Sequence, residues 1–143
     1  MKIKVTWVGR TKEPAIQALA DEYVKRITRH AEVEAIALKD EAAVLKFMAR
    51  VPATRVLLDA AGKQMSSEEF AAFIRNHQDR TPTPLIFAIG AASGFSAEAK
   101  RSASLTLSLG KMTLPHELAR VLLLEQIYRA FNILTGHPYH LGH

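Results

Sequence analysis

Cysteine is absent from the 143-residue sequence. A chain without cysteine forms no disulfide framework, has no thiolate nucleophile and cannot build a cysteine-ligated zinc or iron–sulfur site. Long apolar runs are also missing, since the longest weakly polar stretch, residues 85–95, is interrupted by Gly90 and Gly94 and is far shorter than the roughly 20 residues of a membrane helix. Lysines at positions 2 and 4 leave the N-terminus without the apolar core of a signal peptide. We therefore expect a soluble, cytoplasmic protein that does not associate with membranes.

The composition predicts one folded domain. Hydrophobic residues make up 48% of the chain and charged residues 23%, which argues against intrinsic disorder. A chain of this length buries a core of its own, so residues 1–143 are expected to form a single domain. The 19 Lys and Arg exceed the 14 Asp and Glu, which gives a net charge of +5. This excess is compatible with a polyanionic partner such as RNA, and equally with many soluble enzymes.

Strand patterns alternate with helix patterns along almost the whole chain. Strands are predicted near residues 2–7, 33–38, 55–59, 85–89 and 105–109, and helices are predicted to begin near residues 14, 41, 66, 96 and 115. Five strands interleaved with five helices favour an open parallel α/β sheet with helices on both faces. Ligands of such sheets bind beyond the carboxyl ends of the strands, so the loops after Asp59, Ile89 and Leu109 are the expected site.

The last predicted helix, residues 115–134, is apolar around much of its circumference. Such a helix is buried on more than one side, and in a small domain a second copy of the chain is the natural cover. We therefore expect a homodimer. Arg120 is a lone cation on the apolar side of this helix, where a snorkelling or ion-paired interface residue is favoured over a substrate contact.

A glycine loop, Gly90-x-x-x-Gly94, follows a strand and precedes a helix, as phosphate-binding loops do. It matches neither G-x-G-x-x-G nor G-x-x-x-x-G-K-[ST], so it supports neither a nicotinamide dinucleotide nor a P-loop nucleotide. Taken alone, the loop is equally compatible with a ligand site and with an ordinary tight turn. His116, near the start of the last helix, is interpreted as a neutral, structural histidine.

The C-terminal tail contains histidines at positions 137, 140 and 143. Three imidazoles without a carboxylate make a poor metal site, so no metal is expected. Fraying is one expectation for a tail of this composition. The other is that the tail folds over a nucleobase, because Tyr139 offers a stacking ring and His140 a titratable one.

Four segments of the C-terminal half resemble one enzyme family. They are Ile-Gly-x-x-x-Gly at 89–94, Leu-Ser-Leu-Gly-Lys-Met-Thr-Leu-Pro-His at 107–116, Glu-Gln-x-Tyr-Arg-Ala-Phe at 125–131 and Pro-Tyr-His at 138–140. On these residues the chain is identified as a member of the small SPOUT-class methyltransferases, which modify N3 of a pseudouridine in bacterial 23S ribosomal RNA. The likeness extends over nearly the whole chain, and its Lys-Met-Thr-x-Pro-His and Tyr-Arg-Ala-Phe segments are specific.

The resemblance implies a parallel-sheet SPOUT fold whose C-terminal segment threads through a loop to form a deep trefoil knot. It also implies a homodimer that uses S-adenosyl-L-methionine without a metal and holds this cofactor mostly through backbone groups of three loops. Because the modest net charge alone would give weak affinity for RNA, the expected substrate is 23S rRNA within the assembled ribosome, as the family prefers. The cofactor-binding residues implied by the resemblance are Leu58, Gly90, Leu109, Gly110, Lys111, Met112, Thr113 and Leu114.

Methyl transfer to N3 of a uracil-type ring requires that the N3 proton leaves and that the nitrogen lies in line with the methyl group. Our hypothesis is that His140 accepts or relays this proton. Tyr139 stacks on or hydrogen-bonds the base, and Arg129 stabilises negative charge on a carbonyl. In the alternative, His140 only positions the RNA and water takes the proton.

Two positions depart from the family pattern. Ala91 stands where the family commonly has a second glycine, so its methyl group is either accommodated or crowds the methionine part of the cofactor. Leu141-Gly142-His143 follows Tyr-His where a basic residue is common, so a phosphate contact from the tail is weaker or is supplied by protonated His143. A catalytically impaired ribosome-binding maturation factor of the same fold is therefore the alternative function, and an unrelated nucleotide- or flavin-binding protein is a more distant one.

Overall fold

The computed structural model describes residues 1–142. Five parallel strands form one sheet in the order β2-β1-β4-β3-β5, with β1 at Lys2–Val8, β2 at Glu32–Leu38, β3 at Thr54–Gln64, β4 at Leu85–Ile89 and β5 at Leu105–Ser108. The helices of this range are α1 at Pro14–Ile27, α2 at Glu41–Ala49, α3 at Ser67–Arg80, α4 at Ala97–Ser102, α5 at His116–Thr135 and α6 at Tyr139–Gly142. The predicted parallel α/β sheet is therefore confirmed.

The central strand β4 shows how the sheet is covered. Leu85, Phe87 and Ile89 face a larger apolar cluster that includes residues of α1, α3 and α5. Ile86 and Ala88 face a smaller cluster that includes residues of α2 and α4. All five residues of β4 are buried, as expected for a strand with helices on both sides.

Helix starts follow their sequence signals closely. Ser66 and Glu69 form the predicted capping box of α3: Ser66 Oγ accepts from the Glu69 N–H at 3.0 Å, and Glu69 Oε1 accepts from the Ser66 N–H at 2.8 Å. Pro14 is the first residue of α1, as predicted. Pro115 was expected inside the first turn of α5 and instead precedes it, at the capping position.

The strand predicted over residues 55–59 is only the first part of a longer β3. Pairing of β3 with β5 is interrupted after Leu58 and resumes at Lys63. Gly62 permits this irregularity, because a Cβ atom at this position would lie 2.7 Å from the backbone of Thr106 in β5. The strand therefore bulges after Leu58 and pairs again beside the carboxyl end of β5.

The long helix α5 packs against α1 and α3 and buries eight of its residues. These two helices provide most of the cover that its apolar pattern requires. Leu118 and Leu122 remain 44% and 42% exposed on its outer side. No helix within residues 1–142 is both long and apolar enough to span a membrane.

Candidate active site

A cleft of about 230 Å³ opens at the carboxyl ends of β4 and β5 and at the register break of β3. Parallel sheets bind ligands at this edge. Three segments form its walls: the irregular part of β3 at residues 58–60, the glycine loop 90–94 and the segment 109–114. Lys111 belongs to the third segment, but its side chain is exposed and does not line the cleft. The other seven residues predicted to bind the cofactor meet there: Leu58, Gly90, Leu109, Gly110, Met112, Thr113 and Leu114.

The glycine loop is a tight turn that closes on itself. The Gly94 N–H donates to the Ala91 carbonyl at 2.8 Å, and Gly94 has a φ of +79°, a conformation that favours glycine. Ala91 is exposed and contributes to the wall of the cleft. The loop is therefore both the ordinary tight turn and part of the cleft, two interpretations that the sequence left open.

Two ionisable residues of the cleft were not predicted as site residues. Asp59 follows Leu58 in the wall, and its carboxylate lies 3.2 Å from Lys100 Nζ. His116, interpreted from the sequence as a structural histidine, also lines the cleft at the start of α5. The position of Asp59 directly after a buried strand segment was the signal that could have identified it.

A second cavity, of about 330 Å³, adjoins the first and shares Leu107, Leu109 and Gly110 with it. Phe70 and Leu123 contribute apolar surface to this cavity. Its rim includes Ser67 and Gln126, and Ser67 Oγ donates to Gln126 Oε1 at 2.7 Å. The cavity has no local motif in the sequence, because its lining comes from β3, α3, β5, α5 and the loops between them.

The three predicted catalytic residues lie together where α6 folds back onto α5. Arg129 Nη1 lies 3.1 Å from His140 Nδ1, and the Arg129 guanidinium lies 5.2 Å from the centre of the Tyr139 ring. The expectation of a frayed tail is therefore wrong for residues 139–142, which form α6. His143 and its predicted phosphate contact lie outside the described residues.

The Glu125 carboxylate organises two of these residues. Its Oε2 accepts from Tyr139 Oη at 2.8 Å and from Arg129 Nη2 at 2.7 Å. The hydrogen bond between Arg129 and Glu125 raises the pKa of the Arg129 guanidinium. Burial, together with hydrogen bonds to Tyr23 and Glu125, raises the pKa of Tyr139 well above its usual range, so its phenol is neutral and serves as a donor rather than a base.

The third residue, His140, also contacts α3. Its Nε2 lies 2.8 Å from Glu68 Oε1, in the first turn of that helix. The backbone N–H of Glu68 and the bond to His140 lower the pKa of the Glu68 carboxyl, which is therefore ionised at neutral pH. Neither Glu68 nor Glu125 was predicted as a site residue.

Comparison with known proteins decides the family. The family model described as "Predicted SPOUT methyltransferase" matches residues 1–140. This chain belongs to the SPOUT methyltransferase family. The membership expected from the four C-terminal segments is thus confirmed.

Full-length relatives of this SPOUT chain are closely similar in sequence. A ribosomal RNA large subunit methyltransferase H from Koribacter versatilis is 53% identical, with 100% of both chains covered. A protein of the same name from Geobacter sulfurreducens is 43% identical, over 98% of this chain and 99% of its own. Both relatives carry the name of an enzyme that methylates ribosomal RNA.

Solved structures agree with the SPOUT fold. A probable methyltransferase from Bordetella pertussis Tohama I has a TM-score of 0.60 at 12% identity and covers 90% of this chain and 93% of its own. A probable methylase family protein from Haemophilus influenzae Rd KW20 has a TM-score of 0.59 at 12% identity, over 97% and 68% of the two chains. At such low identity these likenesses show the fold alone.

Within this SPOUT chain, the predicted catalytic residues do not line the cleft. The second cavity links the two places, because Ser67 and Gln126 on its rim are the chain neighbours of Glu68 and Glu125. These two carboxylates contact the predicted catalytic residues directly. The second cavity thus adjoins the cleft, and two of its lining residues are next in the chain to the carboxylates that hold the tail.

Arg120 does not line the cleft of this SPOUT chain and is only 1% exposed. Its guanidinium stacks on Trp7, 4.0 Å from the ring centre, and Nη2 donates to Thr11 Oγ1 at 2.6 Å. Arg120 therefore does not snorkel to solvent in the single chain, since its side chain is buried and its charge faces an aromatic ring. An ion pair across an interface with a second copy stays a prediction.

Proposed function

We propose that this SPOUT protein transfers a methyl group from S-adenosyl-L-methionine to N3 of a pseudouridine in 23S rRNA. The observation that carries the proposal is that the three segments assigned to the cofactor converge on one cleft, at the register break of β3 and the carboxyl ends of β4 and β5. The names of the full-length relatives support ribosomal RNA as the substrate class.

The residues of the cleft fit this cofactor. Leu58, Leu109 and Leu114 offer apolar walls for a purine ring, and the peptide groups of the same loops offer donors and acceptors for its edge. Asp59 adds a carboxylate suited to ribose hydroxyls or to a positively charged sulfur. When bound, the cofactor supplies a methyl group that is already electrophilic, so the reaction needs no metal.

The residues of the tail supply the remaining chemistry. His140 takes the N3 proton of the base, and Arg129 stabilises the negative charge that this leaves on a neighbouring carbonyl. Tyr139, whose raised pKa keeps it neutral, stacks on the base or donates a hydrogen bond to it. The contacts of these three side chains with one another support a joint role.

We further propose that the protein works as a homodimer and that the tail of one copy completes the cleft of the other. Arg129, Tyr139 and His140 lie outside the cleft of their own chain, while exposed Leu118 and Leu122 on α5 favour contact with a second copy. The deep trefoil knot implied by the family belongs to the same proposal, since it would hold the loop 109–114 against the glycine loop.

The proposed substrate is 23S rRNA within the assembled ribosome, which places the protein in the cytoplasm. A net charge of +5 supplies modest electrostatic attraction to RNA, so surrounding ribosomal surfaces are expected to orient the enzyme. Comparable methylation of protein-free rRNA would contradict this part of the proposal.

The test is methyl transfer from labelled S-adenosyl-L-methionine to ribosomes that lack the modification, with the labelled nucleotide mapped and a His140→Gln variant run alongside. Label at a single large-subunit pseudouridine, lost in the variant, is the expected result. Because Ala91 lines the cleft, calorimetric titration with the cofactor distinguishes the alternative. A protein that binds ribosomes but not the cofactor would be a maturation factor of the same fold.

A further inference from the structure

Both ring nitrogens of His140 have partners. Nδ1 lies 3.1 Å from Arg129 Nη1, and Nε2 lies 2.8 Å from Glu68 Oε1. A guanidinium has only donors, so Nδ1 must accept this hydrogen bond. The ring proton therefore sits on Nε2 and is donated to Glu68, which makes His140 a neutral imidazole of one defined tautomer.

We propose that Glu68 is a positioning residue for methyl transfer: it orients the His140 ring and, together with Arg129, holds it as the Nε2–H tautomer, so that Nδ1 is the atom that takes the N3 proton of the target base. This inference rests on the proposed function, because it assigns a role in the same reaction to a residue of α3. Glu68 never touches the base and acts only through His140.

The charged and titratable groups around His140 leave this role to Glu68. Arg129 contacts it from α5, and Tyr139 precedes it in α6. Tyr139 Oη contacts Glu125 of α5 and lies 3.5 Å from Tyr23 Oη of α1. The Glu125 carboxylate already accepts from Arg129 and Tyr139. Glu68 is therefore the carboxylate available to the imidazole.

The same geometry defines what must change when a base arrives. The Arg129 Nη1–H group donates a hydrogen bond to the lone pair of His140 Nδ1. The N3–H of the base therefore has to displace the guanidinium before it can donate to the same atom. The carbonyl beside N3 offers Arg129 a new acceptor, which becomes more negative as the proton leaves. A positive Arg129 beside a protonated ring would also be repelled, so displacement precedes proton transfer.

The proton transfer and the methyl transfer together balance in atoms and charge. The N3–H bond breaks and an Nδ1–H bond forms, while the N3 electron pair forms the bond to the methyl carbon. The carbon–sulfur bond breaks and its electron pair stays on sulfur, which becomes a neutral thioether. Glu68 stabilises the resulting imidazolium through Nε2–H, and the Nδ1 proton later passes to water.

A surface carboxylate allows a clean test. The Glu68 side chain is 65% exposed, so its removal should leave the fold intact. Asp79 is a matched control, because it lies on the same helix, is also 65% exposed and is paired with Arg75. Glu68→Ala removes the acceptor, whereas Glu68→Gln keeps an oxygen that can accept from Nε2–H.

The first readout is the tautomer of His140, measured by NMR of protein labelled with ¹⁵N-histidine, without cofactor or RNA. A His140→Gln variant identifies the signal. We expect the Nε2–H tautomer in the wild type and in Asp79→Ala. Because Arg129 also favours this tautomer, Glu68→Ala should keep it but lose the hydrogen bond from Nε2–H, which is seen as faster solvent exchange and an upfield shift of the Hε2 proton; Glu68→Gln should largely restore that signal. An Nδ1–H ring in the wild type, or an unchanged Hε2 signal in Glu68→Ala, overturns the inference.

The second readout is methyl transfer to unmodified ribosomes. We expect kcat to fall roughly tenfold in Glu68→Ala with KM for ribosomes unchanged, a smaller loss than the 100-fold or more expected on removal of the base itself. Glu68→Gln should recover part of the loss. Full activity of Glu68→Ala overturns the role of Glu68. No transfer by a wild type that shows the expected tautomer overturns the proposed function and this role with it.

Discussion

The phenol of Tyr139 donates its hydrogen to Oε2 of Glu125 at 2.8 Å, and this bond joins α6 to α5 between residues 14 positions apart. The same oxygen accepts from Arg129 Nη2 at 2.7 Å. One carboxylate thus sets the positions of two of the three predicted catalytic residues. The tail is held on α5 by the side chains that are proposed to act on RNA, so any substrate has to compete with these contacts.

Removal of this carboxylate should loosen the tail and destabilise the fold. Glu125→Ala leaves a partly buried guanidinium and a phenol without their acceptor, and we expect the free energy of unfolding to fall by about 2 kcal/mol. Urea denaturation measures this loss. Glu22→Ala is the control, because it breaks the more exposed pair with Arg26 at the same i, i+4 spacing on α1 and should cost much less. Equal losses in the two variants would contradict the role given to Glu125.

The raised pKa of Tyr139 predicts a loss of stability at alkaline pH. Burial and the hydrogen bonds to Tyr23 and Glu125 keep its phenol neutral in the folded protein, whereas an unfolded tyrosine ionises near pH 10. The contribution of a group with a raised pKa is complete below the unfolded value and is lost as pH rises above it. Urea unfolding between about pH 9 and pH 11 should therefore show a steeper loss for the wild type than for Tyr139→Phe. Parallel curves would argue against this account.

Two substitutions in the glycine loop test whether Ala91, which stands where the family commonly has glycine, affects cofactor binding. We expect Ala91→Gly to change cofactor affinity by less than about threefold, since the residue is exposed and glycine keeps the carbonyl that accepts from Gly94. Gly94→Ala should destabilise the protein by about 1 kcal/mol, because alanine is strained at a φ of +79°, and should weaken binding as the loop distorts. Calorimetry with S-adenosyl-L-methionine measures both variants. Tenfold tighter binding by Ala91→Gly would show that the methyl group crowds the cofactor.

Local patterns predicted most of the fold. The apolar run of β4 and the capping box at Ser66 identify their elements because the signal lies within a few neighbouring residues. The second half of β3 was not predicted, since its pairing depends on the close approach of Gly62 to the backbone of Thr106. Only a tertiary contact reveals that this glycine is required.

The site was predicted only in part, because some of its contacts are tertiary and have no local signal. The loops of the cleft follow from the rule that ligands lie at the carboxyl ends of parallel strands, which needs only the order of elements. The contact between Glu68 and His140 joins residues 72 positions apart and has no local signature. The second cavity, built from several elements, was missed because no single segment carries its pattern.

Substitutions of Arg120 test whether its buried charge stabilises the fold. Its Nε and Nη1 are buried, as is Trp7 Nε1, and none of the three has a hydrogen-bond partner among the described residues. Burial lowers the pKa of this guanidinium, which shows that the fold disfavours its charge. A buried cation of this kind is often replaced by an apolar side chain of similar length at no cost in stability.

We therefore expect Arg120→Met to unfold with a free energy equal to that of the wild type or higher by about 1 kcal/mol. Arg120→Ala should lose about 3 kcal/mol, because it leaves a cavity against Trp7. Urea denaturation of the two variants separates the effect of side-chain volume from the effect of the charge. If Arg120→Met were as unstable as Arg120→Ala, the charge itself would be required, and its partner would have to be a group absent from the single free chain, such as bound cofactor or a second copy. Unfolding curves collected with and without S-adenosyl-L-methionine would then identify which one.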